Sequence, residues 1–268
     1  MREAMKKLTI ITINFNHKEG LQRTIDSIVN QTFTDYEWIV VDGGSTDGSK
    51  ELIEQYEDHF AWWCSEPDKG VYNAMNKGIS HATGEYINFM NSGDVFATST
   101  ILSEIFSKER KADLLYGKMM RGSINGEVSE QNLMKPNIKW WELCFHTFGH
   151  QSEFMKRELF SIKMYDESYK VAADADWNTY MVVNKRVSTE YIPLKISIIE
   201  EGGISSNVET LCKERERIRE TYYYMLSDED FSDLRYLAIV NHFNISRHIF
   251  YLISRCMNRI RKRWNIIV

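Results

Sequence analysis

Acidic, amide and hydroxyl side chains recur where the predicted β-strands of the N-terminal part of the chain end. They are Thr12, Asn14 and Asn16 after the first strand, Asp42 after the second, Glu66 and Asp68 after the third, and Asn91 and Asp94 after the fourth. In an open parallel sheet, ligands bind beyond the carboxyl ends of the strands. Exposed loops are polar in any protein. As a set, however, these side chains suit a ligand that carries base and sugar edges, phosphates and a cation.

Four strands and the helices between them must position these side chains. Apolar, β-branched runs predict the strands, and apolar residues at helical spacing follow three of them. The predicted strands are Leu8–Ile13, Glu37–Val41, Phe60–Cys64 and Tyr86–Met90. Alternation of strand and helix indicates βαβ units, so the fold class is α/β with a mostly parallel sheet and helices on both faces.

The alternation becomes less regular after Asp94. The pattern predicts a helix at 101–106, a strand at 113–119, a hairpin or loop at 121–131, a strand at 152–155 and a helix at 171–183. From Glu209 onward the chain is charged and predicted to be helical.

The segment Asn88–Phe96, NFMNSGDVF, ends the fourth strand on a turn with a single acid, Asp94. Asn, Ser, Gly and Asp are the residues that turns ordinarily use. Spacing alone therefore leaves two interpretations open, in which Asp94 either forms a turn or binds a metal ion.

Composition narrows the function classes. Hydrophobic residues make up 43% and charged residues 26% of the 268 residues, as in ordinary globular proteins. The four cysteines form no CxxC pair, which argues against a zinc cluster or disulfide framework and for a reducing compartment. We expect no signal peptide and no membrane span, because the apolar runs are short. These features predict a cytoplasmic protein.

Two common nucleotide-binding motifs are missing where they would be needed. A dinucleotide-binding protein carries GxGxxG directly after its first strand. Here the first strand is followed by Asn14-Phe15-Asn16-His17, and the glycine-rich turn DGGSTDGS follows the second strand instead. No segment matches the GxxxxGK[ST] loop of P-loop kinases. A nucleotidyltransferase is disfavoured too, since no basic, glycine-rich loop follows the first strand.

Five ordered motifs resemble family 2 glycosyltransferases with a GT-A fold. They are TINFN (12–16), SIVNQTF (27–33), WIVVDGGSTDGS (38–49), DKGVYNAMNKG (68–78) and ATGEYI (82–87). Within that family, the chain is most similar to bacterial enzymes of exopolysaccharide, capsule or colanic-acid type. The resemblance implies an inverting transfer of a sugar from a nucleotide-sugar, usually a UDP-sugar, to a hydroxyl of a glycan or lipid-linked glycan.

The resemblance also assigns the donor-binding residues. It implies that the base is held by Thr12, Asn14, Asn16 and Asp42, with the Asp42 carboxylate accepting from a base N–H. Asp68 then lies along the nucleoside, and Ser92 and Gly93 lie beside the donor. Lys77 meets ribose or phosphate, unless it belongs to a solvated helix face.

The same family carries its metal ligands in a run such as DSDD after the fourth strand. This chain has Asn91-Ser92-Gly93-Asp94, so only the last acid is retained. The resemblance implies that Asp94 binds Mg²⁺ or Mn²⁺, with the diphosphate supplying most other ligands. With the other acids replaced, we expect metal and UDP-sugar to bind together.

A general base is also implied, in the segment Ala172-Ala173-Asp174-Ala175-Asp176-Trp177. The resemblance assigns this role to Asp174, with Asp176 as the alternative. Acids at a helix N-terminus are also favoured by the helix dipole alone. His150, in the segment Gly149-His150-Gln151, resembles a residue beside donor sugar and acceptor, although a single histidine is commonly structural. The segment 201–205, EGGIS, resembles a loop that closes over the diphosphate.

We predict a catalytic domain at 1–206, with a nucleotide-sugar half at 1–95 and an acceptor half at 96–206, and a helical extension at 207–268. Residues 245–268 carry six basic and no acidic residues, so the net charge of −5 divides into +6 for this tail and −11 for the remainder. A basic amphipathic tail is typical of peripheral membrane binding, but a helix packed on the domain fits too. The acidic body disfavours nucleic acid.

A non-catalytic nucleotide-sugar-binding protein of the same fold is the alternative function. Retention of both Asp94 and Asp174 favours the enzyme.

Overall fold

The computed structural model describes residues 5–122, 128–131, 136, 143, 147–200, 202 and 207–222. Four strands form the parallel half of the sheet, in the order β3–β2–β1–β4. Their bounds are Leu8–Asn14 for β1, Tyr36–Asp42 for β2, Trp62–Ser65 for β3 and Tyr86–Phe89 for β4. Three helices follow β1, β2 and β3, namely α1 (Lys18–Val29), α2 (Ser49–Gln55) and α3 (Val71–His81). The βαβ prediction is confirmed for this half.

Beyond β4 the sheet is mixed, and it continues in the order β8–β6–β9–β5, with β7 paired to β6. The strands are β5 (Val95–Phe96), β6 (Leu114–Gly122), β7 (Val128–Gln131), β8 (Glu153–Lys156) and β9 (Thr189–Ile199). The helices are α4 (Ile101–Ile105), α5 (Ala173–Thr179), which continues as a π-helical turn at Tyr180–Asn184, and α6 (Val208–Tyr222).

Two strands of this half escaped the sequence pattern. β5 has two residues, and β9 contains Pro193 and Lys195, which obscure its alternation. β9 pairs in parallel with β6, but the register shifts between Gly117 and Lys118, where Ile192 is the last paired residue before Lys195. Pro193, which has no N–H to donate, falls in this interruption.

Helices cover both faces of the sheet, and each face has its own core. On one face Leu21 and Ile25 of α1 pack against Leu8, Ile10 and Trp38. On the other face α3 packs on β1 and β2, and Met75 of α3 and Trp177 of α5 are fully buried in the same core. Alternate residues of β1 therefore enter opposite cores. This double coverage fixes the strand ends, where the polar loops lie.

Helix α6 packs against α5 and the π-helical turn that follows it. The Glu214 carboxylate accepts from the backbone N–H groups of Lys170, Val171 and Ala172, directly before α5. The predicted basic tail at 245–268 lies outside the described residues, as does most of the predicted loop at 201–205. In the described part of the chain, no helix is long and apolar enough to span a membrane.

Candidate functional site

The ends of β1 and β2 are joined by a buried hydrogen-bond network centred on Asp42. One carboxylate oxygen of Asp42 accepts from Asn14 Nδ2 at 2.7 Å and from the Ser45 hydroxyl at 2.6 Å. The other accepts from the backbone N–H of Ser45 at 2.9 Å and from the Ser65 hydroxyl at 2.6 Å. Burial raises the pKa of Asp42, but the donors of Ser45, Ser65 and Asn14 outweigh it, so the net pKa lies below the ordinary value.

Asp42 therefore organises the site rather than presenting a free carboxylate. Its side chain is fully buried, and all the acceptor positions described above are used by protein donors. Asn14 extends the network, because its Oδ1 accepts from the Ser92 hydroxyl at 2.7 Å. Asn16 Oδ1 accepts from the backbone N–H of Thr46 at 2.8 Å, which holds the loop after β2 in place. We call Asn14, Asn16, Asp42, Ser45 and Asp68 the β1–β2 edge.

Thr12, another residue that the resemblance assigned to the base, points into the core. Its hydroxyl is fully buried and accepts from the Trp38 indole N–H at 3.0 Å. The Thr12 side chain is therefore committed to the packing beneath the site.

Asp68 and Phe15 lie beside this network, close to the backbone at Gly43. A Cβ atom at Gly43 would lie 2.7 Å from Asp68 Oδ2 and 3.1 Å from Phe15 Cδ2, so glycine allows both side chains this close approach. The Phe15 ring is 65% exposed, which is unusual for a large apolar side chain. A planar base can stack on such a ring. Phe15 was not among the predicted site residues, although its place inside the TINFN motif was a signal.

Lys77 lies on α3 and pairs with Glu66, which follows β3. Its ammonium is 2.8 Å from Glu66 Oε1, and this hydrogen bond raises the pKa of Lys77. The pair is largely exposed, so its own contribution to stability is small. In this structure the Lys77 ammonium is paired with Glu66, and its contact with ribose or phosphate stays a prediction.

The turn Asn91–Asp94 is held from behind by Thr24 of α1. The buried Thr24 hydroxyl accepts from the Gly93 N–H at 3.0 Å and lies 2.8 Å from the Asp94 carbonyl oxygen. Gly93 has a φ of +98°, and a Cβ there would lie 2.3 Å from a carboxylate oxygen of Glu200. The positive φ favours glycine at this position.

Asp94 is a buried carboxylate that is short of compensating charge. Its Oδ2 accepts from Gln151 Nε2 at 2.8 Å, and its Oδ1 accepts from the backbone N–H of Glu200 at 3.1 Å. Burial raises the pKa of Asp94 to about 6, despite the opposing hydrogen bond from Gln151. A divalent cation would relieve this cost.

Asp174 at the start of α5 is buried, but its surroundings favour its ionised form. Its Oδ2 lies 3.3 Å from His150 Nδ1, and its Oδ1 accepts from the Tyr72 hydroxyl at 3.2 Å. Burial raises the pKa of Asp174, but the hydrogen bond from His150 and the N–H of Ala175 hold the net pKa below its ordinary value. The other ring nitrogen of His150, Nε2, is 3.0 Å from the Asn91 amide.

Asp176, the alternative base, has a structural environment. Lys163 Nζ lies 2.6 Å from its Oδ2, and the hydroxyls of Tyr169 and Tyr222 donate to its Oδ1. The Asp176 side chain is 5% exposed and tied to α6 through Tyr222. The geometry therefore favours Asp174 over Asp176 for chemistry.

The consecutive residues His150 and Gln151 connect the two reactive carboxylates. His150 contacts Asp174, and Gln151 donates to Asp94. Gly149 precedes them because a Cβ there would lie 2.3 Å from Met119 Sδ, so the Met119 side chain packs against the peptide itself. We call Asn91, Asp94, His150, Gln151 and Asp174 the carboxylate cluster. Gln151 was not predicted as a site residue.

A third carboxyl lies beneath the cluster. Glu153 is fully buried and touches Asn178 Nδ2 at 3.0 and 3.2 Å. Burial, then the nearby charge of Asp174, raises the pKa of Glu153 well above its ordinary value. The pKa of Glu153 is thus raised while that of Asp174 is lowered, and such separated pKa values are typical of catalytic sites.

The residues fit a cation that arrives with a diphosphate rather than a preformed metal centre. Among the described residues, no three His, Cys, Asp or Glu side chains are placed to hold a metal ion together. Asp94 alone supplies a hard oxygen donor, the kind that Mg²⁺ and Mn²⁺ prefer. Sites with one or two carboxylates complete their coordination with substrate phosphates and water.

Comparison with known proteins places the chain in a family. The model of glycosyl transferase family 2 matches residues 9–163, so the chain belongs to this family. A "PGL/p-HBAD biosynthesis glycosyltransferase" of Mycobacterium bovis is 30% identical over 218 residues, which cover 76% of this chain and 81% of that protein. The predicted family is confirmed.

Solved structures share the fold. S. aureus TarS 1–349 in complex with UDP aligns with a TM-score of 0.65 and 18% identity, covering 96% of this chain and 72% of TarS. Its complex with UDP-GlcNAc aligns with a TM-score of 0.63. PcManGT, a mannosyltransferase from Pyrobaculum calidifontis in complex with GDP-Man and Mn²⁺, has a TM-score of 0.57 and 14% identity, covering 98% and 83% of the two chains. At these identities the likeness shows the α/β, GT-A type fold alone.

Proposed function

We propose that this chain is an inverting, metal-dependent glycosyltransferase that moves a sugar from a UDP-sugar to a hydroxyl of a glycan or lipid-linked glycan in surface polysaccharide synthesis. The observation that carries the proposal is the pair of carboxylates joined by His150 and Gln151. The pKa of one, Asp174, is lowered, which suits a base, and burial raises the pKa of the other, Asp94, which suits a cation ligand.

The donor is the part of the proposal that the β1–β2 edge supports. Beside Gly43, the exposed Phe15 ring is available for stacking and the Asp68 carboxylate for hydrogen bonds. TarS, which shares the fold, binds UDP and UDP-GlcNAc. The mycobacterial relative is named for PGL/p-HBAD biosynthesis, which agrees with a surface-glycan role. Asp42, by accepting from Ser45, Ser65 and Asn14, keeps this edge in a single arrangement.

In the proposed transfer, the acceptor oxygen attacks the anomeric carbon from the face opposite the diphosphate. The new C–O bond forms as the bond to the phosphate oxygen breaks, and its electron pair leaves with the nucleoside diphosphate. Asp174 takes the proton from the acceptor hydroxyl, a contribution of about 10²–10⁴-fold in rate. When bound, a divalent cation held by Asp94 supplies charge neutralisation for the leaving diphosphate.

The compartment and membrane contact remain parts of the same proposal. We place the enzyme in the cytoplasm, with peripheral contact to the membrane through residues 245–268, where a lipid-linked acceptor would be reached. The separation of charge between that tail and the acidic remainder supports this arrangement. Cys64 and Cys212 are free thiols, in keeping with a reducing compartment.

Asp174→Asn, compared with Asp176→Asn, tests the function. UDP-sugars are screened with and without Mn²⁺ by thermal shift, and transfer to glycan acceptors is then assayed with the stabilising donor. Asp174→Asn should bind the donor normally and lose transfer by about 10²–10⁴-fold. Asp176→Asn should lower the melting temperature, because Lys163 loses its partner, while the remaining folded enzyme still transfers.

The outcomes separate the candidate functions. Retained transfer in Asp174→Asn would move the base elsewhere. Metal-dependent donor binding by the wild type without transfer to any acceptor would favour the non-catalytic binding protein. Absence of any stabilisation by UDP or UDP-sugars would contradict the proposed donor.

A further inference from the structure

His150 is held between two side chains that lie on different elements. Its Nδ1 faces Asp174 Oδ2 at 3.3 Å, and its Nε2 faces the Asn91 amide nitrogen at 3.0 Å. The ring also meets the Phe89 ring edge-on, at 6.3 Å between centroids and 90° between planes. Both ring nitrogens are therefore assigned to protein groups, and neither is free to select its own tautomer.

The orientation of the Asn91 amide follows from hydrogen-bond satisfaction. As placed, its NH₂ group meets the imidazole and its Oδ1 is buried without a hydrogen-bond partner. Turning the amide over would instead leave the NH₂ group, with two donors, at that buried position. Leaving one acceptor unsatisfied costs less than leaving two donors unsatisfied. The NH₂ group therefore faces His150.

This orientation dictates the state of the imidazole. A ring nitrogen that faces an amide NH₂ must accept, so Nε2 carries no proton. The remaining ring proton lies on Nδ1 and is donated to the Asp174 carboxylate. In a neutral imidazole, the hydrogen bond made by one nitrogen sets the role of the other.

We propose that Asn91 is a positioning residue, which acts through His150 by holding it in the Nδ1–H tautomer, so that His150 orients Asp174 for proton abstraction. The catalytic meaning rests on the proposed function, in which Asp174 is the base. The Tyr72 hydroxyl fixes the other oxygen of Asp174 at 3.2 Å. Between them, Tyr72 and His150 leave Asp174 one orientation of its carboxylate.

The amide at position 91 is essential to this arrangement. A carboxylate in the same place would have only acceptors to offer and would require a proton on Nε2. Asn91→Asp therefore protonates Nε2 and either removes the proton from Nδ1 or creates an imidazolium between two carboxylates. Either result changes the hydrogen bond on which the Asp174 orientation depends.

The tautomer is measured directly by ¹⁵N NMR of histidine-labelled full-length protein at pH 8, with no substrate present. The His150 signals are assigned through His150→Gln. In the wild type we expect an unprotonated Nε2 and a protonated Nδ1. A protonated Nε2 in the wild type would overturn the proposal, and this measurement requires no variant of Asn91 to fold.

Asn91→Asp is then compared with Asn207→Asp, the same chemical change at an exposed helix cap where Oδ1 accepts from the Thr210 N–H. An aspartate caps a helix equally well. Asn91→Asp should protonate Nε2 and lower kcat by about 10²-fold, a loss typical of a misplaced catalytic group. The nucleotide Kd measured without divalent metal should stay unchanged. Asn207→Asp should alter neither the tautomer nor kcat.

Failure of this inference and failure of the proposed function give different results. An unchanged His150 tautomer in folded Asn91→Asp contradicts the role of Asn91, whatever the activity. If Nε2 changes as expected but the wild type transfers no sugar, the positioning contact stands and the proposed function fails. A tautomer change without any loss of kcat would make the contact structural, which contradicts the positioning role.

Discussion

The β1–β2 edge and the carboxylate cluster are both polar and each contains a buried carboxylate, but they satisfy their hydrogen bonds to different extents. At the edge, Asp42 accepts from four protein donors and its pKa lies below the ordinary value. In the cluster, burial raises the pKa of Asp94 to about 6. Among the described residues, buried amide oxygens without hydrogen-bond partners occur at Asn88, Asn91 and Asn178, in or against the carboxylate cluster.

This difference separates recognition from chemistry. A fully satisfied network is rigid and presents one shape, which suits the binding of a constant group such as a nucleoside. Unsatisfied buried polar groups cost free energy and persist where a ligand, a water molecule or a reaction uses them. In the proposed function, the β1–β2 edge would therefore hold the donor in place. The free-energy cost of the unsatisfied polar groups in the carboxylate cluster would fall when the substrates bind.

Of the variants that test this comparison, Asp42→Asn should change the free energy of unfolding most. The amide replaces an acceptor oxygen with an NH₂ group among existing donors, so the free energy of unfolding should fall by roughly 3 kcal/mol. Nucleotide binding should weaken at the same time. Because the native pKa of Asp42 is depressed, its stabilisation is present above the unfolded pKa, near 3.8, and is lost as pH falls through the lower native pKa. The stability difference from wild type, measured by urea denaturation, should therefore shrink in acid.

Glu37→Gln is the control for Asp42→Asn. Glu37 accepts from the Thr9 hydroxyl and from the hydroxyl and N–H of Thr83, at the opposite end of β2. It should destabilise the fold without changing the nucleotide Kd of the folded protein. Equal losses of nucleotide affinity in the two variants would contradict a special role for the β1–β2 edge.

Asp94→Asn should have a smaller effect on stability and the opposite sign. The native pKa of Asp94, about 6, lies above its ordinary value of 3.8, so ionised Asp94 destabilises the fold once the pH rises through this range. Without metal at pH 8, the variant should be more stable by about 1–2 kcal/mol, and near pH 4 the difference should vanish. Denaturation at the two pH values measures this.

Asp94→Asn should also lose metal-dependent nucleotide binding. In the wild type, that binding should weaken as pH falls below about 6, because protons compete with the cation for the carboxylate. Asp113→Asn provides a contrast, since Asp113 has a lowered pKa and accepts from Ser188, so its loss should destabilise the fold. If Asp94→Asn were less stable than wild type, Asp94 would behave like a carboxylate whose hydrogen bonds are satisfied. That result would contradict the difference drawn between the two regions.

Phe15→Ala should have the smallest effect on the fold and should sharpen the role of the β1–β2 edge. The ring is 65% exposed, so its removal should leave stability almost unchanged. Loss of stacking on a base should weaken UDP binding by about 1–3 kcal/mol, measured by calorimetry. Ile162→Ala, another exposed apolar residue at 48%, should leave UDP binding intact. Equal UDP affinities of Phe15→Ala and wild type would contradict stacking of the base on Phe15.

Much of the first half of the fold could be predicted because its signals are local. The strands at 8–14 and 86–89 are continuous apolar runs, and α3 repeats apolar residues four apart, so each element is encoded by its own neighbours. The second half carries weaker signals. β9 was missed because Pro193 and Lys195 interrupt its pattern, and its strand character comes from pairing with β6.

The candidate site divides in the same way. Asp94 and Asp174 could be singled out from motifs, since each belongs to a short recognisable segment. The different fates of Asp174 and Asp176 could not be predicted, because Lys163, Tyr169 and Tyr222 reach Asp176 only in the folded chain. The contacts of the Asp42 carboxylate with Ser45, Ser65 and Asn14 could not be predicted either, because they form only in the folded chain. Its contact with a base stays a prediction.

The sequence by itself determined the family, the parallel half of the sheet and the acids at its edge, because these depend on local patterns. The tertiary structure alone decided how those acids behave. Asn91 and His150 are 59 residues apart, and Gln151 and Asp94 are 57 apart, yet each pair is in hydrogen-bond contact. Burial and hydrogen-bond partners, which set the pKa and tautomer of each group, exist only once such distant segments pack together.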